Sequence, residues 1–411
     1  MKPMGPIPPE FAGTDALTIA GHDAEHWIAK AGDTPLFVYD FAVVAARVAR
    51  LRAAMPERLQ LHYAIKANPH PVMLAAIAPL MDGLDVASGG ELQKALAVKP
   101  AQVVSFAGPG KRDDELELAV RSGATLNLES EGEAARALAI GDALGITPRL
   151  AIRVNPDFDL KGSGMKMGGR ASPFGIDAAR VPALVRHLLS AGADWRGFHI
   201  YAGSQALSAA AIIETQTATV TLARRLADEA GAQAAHVNLG GGFGIPYFAG
   251  DQPVDVEAVG AALGECLARG GDPATQYAIE LGRWLAGECG VYLTRIVDRK
   301  QSQGETFLVV DGGLHHQLAA SGNFGTVVRR NYPAAIAGRM AAQESETVSV
   351  VGSLCTPLDR LADRVALPHA DVGDVVAIFL AGAYGFTASP AMFLGHPPAR
   401  ELFVNLPHAE R

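Results

Sequence analysis

Short apolar runs alternate with longer stretches of mixed apolar and polar positions from residue 59 onwards. The short runs are typical of buried strands and lie at 59–65, 83–86, 102–106, 124–128, 148–154, 195–200, 235–239 and 276–280. Apolar positions between them recur at helical spacing, as in Pro71–Leu80, Gly90–Val98, Arg112–Arg121, Glu131–Leu144 and Ala218–Ala230. Eight strands alternating with helices predict an α/β fold, a closed parallel (β/α)8 barrel of the TIM type rather than an open sheet.

The pattern changes after Gly290, where long helical patterns become rare. Strands are predicted at Val291–Val297, Thr306–Asp311, Thr347–Val351 and Val375–Leu380. We therefore predict a barrel domain over residues 36–290 and a C-terminal β-rich domain over residues 291–411, joined by residues 1–35. The glycine-rich insertion Gly162–Gly169 is interpreted as a solvated loop, with a mobile lid as the alternative.

The composition narrows the class of protein. The chain has 411 residues, 49% of them hydrophobic and 19% charged, which is ample for a globular core. A net charge of -8 gives no basic surface for nucleic acid. No apolar run reaches the ~20 residues that cross a bilayer, and no apolar signal region opens the sequence. Three cysteines without metal-type spacing favour a reducing compartment, so we expect a soluble, cytoplasmic protein without a metal site.

Lys66 stands at the end of the first predicted barrel strand, and the turn residues Asn68 and Pro69 follow at once. A lysine at the C-terminal tip of a barrel strand places an amine at the rim where barrel active sites lie. A surface lysine at a strand end is the alternative, and this residue alone does not decide between the two.

Three consecutive glycines, Gly240–Gly242, end the seventh predicted strand. Glycines leave backbone N–H groups open to an anion, and the loops after the seventh and eighth barrel strands often bind phosphate. A tight turn is the alternative. Glu280 ends the eighth strand, where a buried carboxylate requires a cation or a protonated ring nitrogen. Arg283 is expected either to reach the same phosphate or to form an internal ion pair with Glu280.

His199 ends the sixth predicted strand and Asp85 ends the second. Each has a plain structural explanation, since lone histidines are often core or surface residues and an aspartate there can cap the next helix. Polar residues from the tips of so many different strands nevertheless converge on one rim. An amine able to form a Schiff base, a phosphate site and a buried acid together describe a site for pyridoxal 5′-phosphate (PLP). In it, Lys66 would hold the aldehyde and Glu280 would keep the pyridine nitrogen protonated.

A set of motifs in one order extends this picture from about Pro35 to Val404. They are His62–Pro69, Leu84–Glu91, Phe106–Lys111, Asn127–Ser130, Arg153–Pro156, Pro173–Ile176, Gly240–Gly244, Glu280–Arg283, Cys355 and Gly382–Gly385. With them the sequence resembles the fold type III PLP-dependent decarboxylases, the family of diaminopimelate, ornithine and arginine decarboxylases. The resemblance implies α-decarboxylation of an amino acid through a Schiff base, followed by protonation of the α-carbon.

The resemblance also implies roles for single residues. Lys66 resembles the Schiff-base lysine, His199 the residue stacked on the cofactor ring, and Glu280 the partner of the pyridine nitrogen. Asp85 is similar to an orienting group near Lys66. The implied phosphate contacts are Gly241, Gly242, Arg283 and Tyr384, with Ser204 as an addition.

Cys355 resembles the cysteine that one protomer of a homodimer inserts into the site of the other, where it protonates the carbanion. This resemblance implies active sites shared between two protomers. A small buried hydrophobic residue, the usual state of an intracellular cysteine, is the alternative.

The match to diaminopimelate decarboxylases fails where they recognise the far end of the substrate. Their site cysteine is followed by a glutamate, whereas Cys355 is followed by Thr356 and Pro357. Their Arg-Pro pair is absent from Leu314–Gly325. The segment His199–Gln205 is two residues longer than the usual His-x-Gly-Ser, which affects the role of Ser204. Without charged groups to pair with it, a free distal carboxylate and amine would bind poorly.

These departures resemble a subgroup of decarboxylases from exosortase or secondary-metabolite gene clusters, some of which act on aminoacyl groups tethered to an acyl carrier protein. We hypothesise a substrate whose far end is uncharged or carrier-bound. Five cations are then candidates for contact with an acidic carrier, or are simply solvated: Lys161, Lys166, Arg170, Arg329 and Arg330. The alternatives are a diaminopimelate decarboxylase of lysine biosynthesis, an amino-acid racemase and a non-catalytic PLP-binding homologue.

Overall fold

A computed structural model gives the fold and describes residues 1–158, 165–166, 171–322, 329–341 and 344–407. The chain divides into two units. The barrel unit comprises Arg47–Gly244 and Val254–Gly282, and the sheet unit comprises Met1–Ala46, Ile245–Pro253 and Arg283–Arg411. The predicted domain bounds of 36–290 stay a prediction.

Eight parallel strands form the barrel, and pairing of the fourth strand with the fifth closes the ring. In chain order they are Leu59–Ala64, Gly83–Val86, Val104–Phe106, Thr125–Leu128, Arg149–Asn155, Asp194–Ile200, His236–Gly241 and Gln276–Leu281. A short ninth strand, Ile176–Asp177, pairs with the fifth. The predicted closed barrel is confirmed.

One helix precedes the first barrel strand and the others connect each strand to the next, in keeping with the predicted alternation. They are Phe41–Ala54, Pro71–Ile77, Gly89–Leu96, Asp113–Ser122, Glu131–Leu144, Val181–Ser190, Ala209–Ala230 and Val256–Gly270. Their starts are fixed by side-chain caps: Ser88, Ser130, Ser208 and Asp255 each accept a hydrogen bond from a backbone N–H of the first turn. Glycines in the left-handed region end three of these helices, at Gly123, Gly145 and Gly231.

The sheet unit is built around the long strand Gly290–Ser302. This strand pairs antiparallel with Leu36–Asp40, Val375–Ile378 and Glu305–Val310. The other strands of this sheet are Ala334–Ile336, Glu346–Val351, Arg360–Leu367 and Arg400–Val404. The unit also holds a two-stranded sheet of Thr18–Ile19 with His22–Asp23, and the helices Ala24–Ala31 and Arg283–Ala286. The predicted β-rich texture after Gly290 is confirmed.

Among the residues that the structure describes, no helix combines the length and the hydrophobicity that crossing a bilayer requires.

The insertion Gly162–Gly169 lies outside the described residues, apart from the strand Met165–Lys166. This strand pairs antiparallel with Gly203–Ser204.

Candidate active site

Lys66 lies one turn beyond the first barrel strand. The strand ends at Ala64, and the lysine belongs to the single 3-10 turn Ile65–Ala67 that follows. Its side chain is exposed, and Nζ lies 5.7 Å from the centre of the Tyr201 ring. The turn is held in place because the Tyr63 hydroxyl donates to the carbonyl of Asn68 at 3.2 Å. The lysine is therefore delivered to the C-terminal end of the barrel by a defined local structure.

Glu280 ends the eighth strand and shares a buried hydrogen-bond network with His199 and Asn238. Its Oε2 lies 2.9 Å from His199 Nε2 and accepts a hydrogen bond from the Asn238 amide at 2.9 Å. Burial opposes ionisation, but the charge and hydrogen bond of His199, with smaller contributions from Lys66 and Arg153, lower the pKa of Glu280 to about 2. Glu280 is thus an ionised carboxylate held in a buried site.

Asp85 ends the second strand and faces His62. The His62 Nδ1 lies 3.4 Å from the Asp85 Oδ2, and both side chains are buried. Burial and the nearby charge of Glu280 raise the pKa of Asp85, against the opposing influence of His62. The helix after this strand is capped by Ser88, so the interpretation of Asp85 as its cap is wrong: Asp85 stands one turn too early to reach the free N–H groups.

Backbone atoms of neighbouring segments lie very close to the glycine run Gly240–Gly242. A Cβ at Gly241 would lie 1.7 Å from the carbonyl oxygen of Glu280, and one at Gly242 would lie 2.0 Å from the carbonyl oxygen of Gly203. Gly242 also has a φ of +83°, where side chains are strained. Steric crowding alone explains why glycines stand at these two positions. Their presence is therefore no separate evidence for a phosphate site, and phosphate binding by Gly241 and Gly242 stays a prediction. The Cα of Ser204 would lie 3.4 Å from a Cβ built on Gly242, so Ser204 lies beside the glycine run.

Arg283 and Tyr384 belong to the sheet unit and contact each other. The Arg283 guanidinium lies 4.6 Å from the centre of the Tyr384 ring, and its Nη1 donates to the Tyr247 hydroxyl at 3.0 Å. Its Nε is buried and has no hydrogen-bond partner among the described residues. Tyr384 has a φ of +52°, a strained conformation for a non-glycine residue that is often found at functional sites.

Cys355 is exposed, so its interpretation as a small buried hydrophobic residue is wrong. The loop that carries it is fixed by the buried Asp359, whose Oδ2 accepts from the Leu354 N–H at 2.8 Å. The other oxygen of Asp359 accepts from the Leu314 N–H at 2.7 Å. One carboxylate therefore ties the cysteine loop to the segment that begins at Leu314.

Comparison with known proteins decides the family. The family described as "Pyridoxal-dependent decarboxylase, pyridoxal binding domain" matches residues 41–287. The L-glutamyl-[BtrI acyl-carrier protein] decarboxylase of Niallia circulans is 36% identical over 384 residues, which cover 91% of this chain and 90% of the relative. The chain belongs to this family. It is a PLP-dependent amino-acid decarboxylase of fold type III.

Two further similarities support the assignment. The diaminopimelate decarboxylase of Methanothermobacter thermautotrophicus is 30% identical over 403 residues, which cover 94% of this decarboxylase and 90% of the relative. The crystal structure of the diaminopimelate decarboxylase from Helicobacter pylori complexed with L-lysine superposes with a TM-score of 0.83 at 25% identity. That match covers 92% of this chain and 94% of the other.

The residues of the decarboxylase fit its cofactor. An ionised carboxylate, Glu280, is what a protonated pyridine nitrogen requires as a partner. The buried Nδ1 of His199 has no hydrogen-bond partner within the described part of the chain, so one polar atom of the site is left for a bound group. An exposed amine, Lys66, lies near enough to Glu280 to influence its pKa.

Sequence reasoning missed two polar residues of this site, His62 and Asn238. His62 opens the first motif and Asn238 lies in the seventh predicted strand, but neither was given a role. The signal was available, because His62 stands two residues before Ala64 in the first strand, on the face that alternation turns inward. Its partner Asp85 is not visible from the sequence, because the contact depends on register between two strands.

Proposed function

We propose that this decarboxylase acts on an aminoacyl group whose far end is held on an acyl carrier protein. The observation that carries the proposal is the uncharged segment Leu314–Ser321, where diaminopimelate decarboxylases have an Arg-Pro pair. Its His315 is buried, and burial with the neighbouring His316 and His396 lowers the pKa of His315 to about 3, so the ring is neutral at neutral pH. The similarity to a glutamyl-carrier decarboxylase supports the same substrate class.

The cationic residues proposed to meet a carrier receive little support. Arg329 donates to the backbone carbonyl of Leu358 at 3.2 Å, and the Arg330 guanidinium lies 3.8 Å from the centre of the Phe248 ring. Both are thus engaged within the sheet unit. The side chains of Lys161, Lys166 and Arg170 lie outside the described residues.

Release of CO₂ from matched substrates tests the substrate class. We expect a glutamyl group on a phosphopantetheinylated carrier to be decarboxylated with kcat/KM at least ~100-fold above that of free glutamate, because the carrier removes the unpaired distal charge. Free diaminopimelate, lysine, ornithine and arginine are the comparison set. Robust turnover of free diaminopimelate would refute the proposal. It would favour the second candidate, diaminopimelate decarboxylation, which the 30% identity to the archaeal enzyme supports.

In the proposed site, Lys66 would hold the aldehyde of the cofactor and Glu280 would keep its ring nitrogen protonated. Bound PLP supplies a conjugated ring that accepts the electron pair left by departing CO₂. His199 would contact the ring and Asp85 would orient the lysine. The phosphate would be held by Gly241, Gly242, Ser204, Arg283 and Tyr384. Borohydride reduction followed by peptide mapping tests the attachment to Lys66. Lys94→Ala, which removes an exposed lysine of the helix Gly89–Leu96, is the control and should still be labelled at Lys66. Labelling of a lysine other than Lys66 would contradict it.

We further propose a cytoplasmic homodimer in which Cys355 of one protomer returns the proton to the α-carbon in the site of the other. The exposure of Cys355 supports this role, since a cysteine that enters another protomer must be accessible. Mixing inactive Lys66→Ala and Cys355→Ala proteins tests the sharing of sites. Because a heterodimer would contain one intact site, activity should return to about a quarter of the wild-type value. Mixtures that remain inactive, although subunits exchange, would refute shared sites.

A further inference from the structure

A cavity of about 310 Å³, lined mostly by polar side chains, lies in the N-terminal half of the barrel. Seven of the eight barrel strands contribute to its lining, and most of these residues stand near the beginnings of their strands. The lining includes Gln60, His62, Asn127, Arg149, Arg196 and His236. Barrels of this type are usually filled there by branched apolar side chains. The polar lining and the free volume therefore need another explanation.

Positive charge is in excess in this cavity. Arg149 Nη1 lies 3.6 Å and Arg196 Nη1 lies 3.3 Å from the carboxylate of Asp194, so two guanidinium groups share one carboxylate. The Nε of Arg149 is buried without a hydrogen-bond partner in the described part of the chain. Burial lowers the pKa of His236 to about 3, so this ring is neutral at neutral pH. Two cationic side chains therefore face one carboxylate, and one buried donor has no partner in the described part of the chain.

We infer that this cavity binds a small oxyanion between Arg149 and Arg196. Guanidinium groups present donors in a planar fork that matches carboxylate, bicarbonate and phosphate oxygens. A volume of about 310 Å³ exceeds the ~30 Å³ share of one water molecule several times, so a hydrated anion of four or five heavy atoms fits. Burial and the repulsion from Arg196 lower the pKa of Arg149. A bound anion would relieve that repulsion.

The cavity reaches the underside of the active site. Asn238 lines it and donates to Glu280 Oε2 at 2.9 Å, while His62 lines it and faces Asp85 at 3.4 Å. A bound anion would oppose ionisation of these two buried carboxylates, because like charges repel strongly away from water. Occupancy of the cavity is therefore coupled to the electrostatics of the site, whatever the substrate.

Calorimetric titration of the PLP-saturated protein with inorganic phosphate, bicarbonate and acetate, at constant ionic strength, tests the inference. Saturation with PLP keeps phosphate out of the cofactor site. We expect saturable binding that Arg196→Leu weakens about tenfold through the loss of one charge-assisted contact. Arg225→Leu removes the same charge from an exposed ion pair with Asp157 and should leave binding unchanged. The anion that binds most tightly shows whether the natural ligand of the cavity is a phosphate, bicarbonate or a carboxylate.

Asp194→Asn gives the opposite prediction. Removing the carboxylate that both arginines share should tighten anion binding about threefold or more, because the competing negative charge is gone. This variant tests the inference even where Arg196→Leu fails to fold, and Arg196→Gln is the milder substitute. Absence of saturable binding, or equal affinities in the wild type, Arg196→Leu and Asp194→Asn, would overturn the oxyanion site. Neither result bears on which substrate is decarboxylated, because the binding measurement contains no amino-acid substrate.

Discussion

The Nε2 of His199 lies 2.9 Å from the Oε2 of Glu280, and both side chains are buried. The two residues end strands that are not neighbours in the barrel, and Asn238 on the strand between them donates to the same oxygen. This arrangement keeps a carboxylate ionised where burial alone would neutralise it. It defines the electrostatics on which the proposed chemistry depends.

The first prediction concerns acid stability. The pKa of Glu280 is about 2 in the folded chain against an ordinary value of 4.5, so its contribution to stability is complete above pH 4.5. That contribution is lost as the pH falls from 4.5 through about 2. We expect urea unfolding of Glu280→Gln to show a smaller loss of stability between pH 5 and pH 3 than the wild type. Glu117→Gln, which removes an exposed partner of Arg121, is the control and should follow the wild type closely.

The second prediction concerns the role of Glu280 in turnover. Glu280→Gln should retain PLP but lower kcat about 100-fold, because a neutral amide no longer holds the ring nitrogen protonated. Absorbance of the bound cofactor, measured together with CO₂ release, separates loss of binding from loss of chemistry. A variant that keeps both the spectrum and the rate of the wild type would contradict the proposed role.

Asp85 gives a prediction of opposite sign. Its pKa is raised by burial, so the folded chain binds this proton more tightly than the unfolded chain, and stability falls as the pH rises above 3.8. We expect Asp85→Asn to raise the free energy of unfolding at pH 8 by about 1 kcal/mol and to lower activity, as is common where a functional charge is buried. Urea midpoints at pH 4 and pH 8 measure the effect. Asp113→Asn, on an exposed helix position, is the control; equal gains in both variants would contradict the prediction.

The buried pair Lys111 and Glu133 is predicted to be costly to break. Their side chains are almost wholly buried at 2.6 Å, and desolvation lowers the pKa of Lys111 while it raises that of Glu133. Lys111→Met should destabilise the barrel unit by about 3 kcal/mol, because Glu133 is left buried without its partner. The double variant Lys111→Met with Glu133→Leu should recover much of that loss. Chemical denaturation measures both, and a double variant that is worse than the single one would refute the explanation.

The glycine run allows a matched comparison. Gly242 and Gly231 both have a positive φ, but a Cβ at Gly242 meets the carbonyl oxygen of Gly203 at 2.0 Å, whereas one at Gly231 meets nothing within 4 Å. We expect Gly231→Ala to cost about 1 kcal/mol for the strained backbone alone. Gly242→Ala should cost more and should also weaken PLP binding, measured by titration of the apoprotein. Equal costs, with unchanged affinity for PLP, would contradict the assigned geometry.

The helix and strand pattern was largely predictable because it is local. All eight barrel strands lie within a few residues of their predicted positions, since a buried strand shows as a short apolar run wherever it occurs. Arg360–Leu367 was not predicted as a strand. Its Asp363 breaks the apolar pattern, and this carboxylate is stabilised by ion pairs with Lys2, Arg360 and Arg364. No local pattern shows a partner more than 300 residues away.

The sequence by itself determined the closed barrel, the β-rich unit and the placement of Lys66, Asp85, His199 and Glu280 at strand ends. These follow from periodicity and turn chemistry, which act over a few residues. Only the tertiary structure decided that Glu280 pairs with His199 and Asn238, that Asp85 faces His62, and that a charged cavity lies beneath them. Those contacts depend on strand register and ring closure, which bring together residues that are distant in the chain.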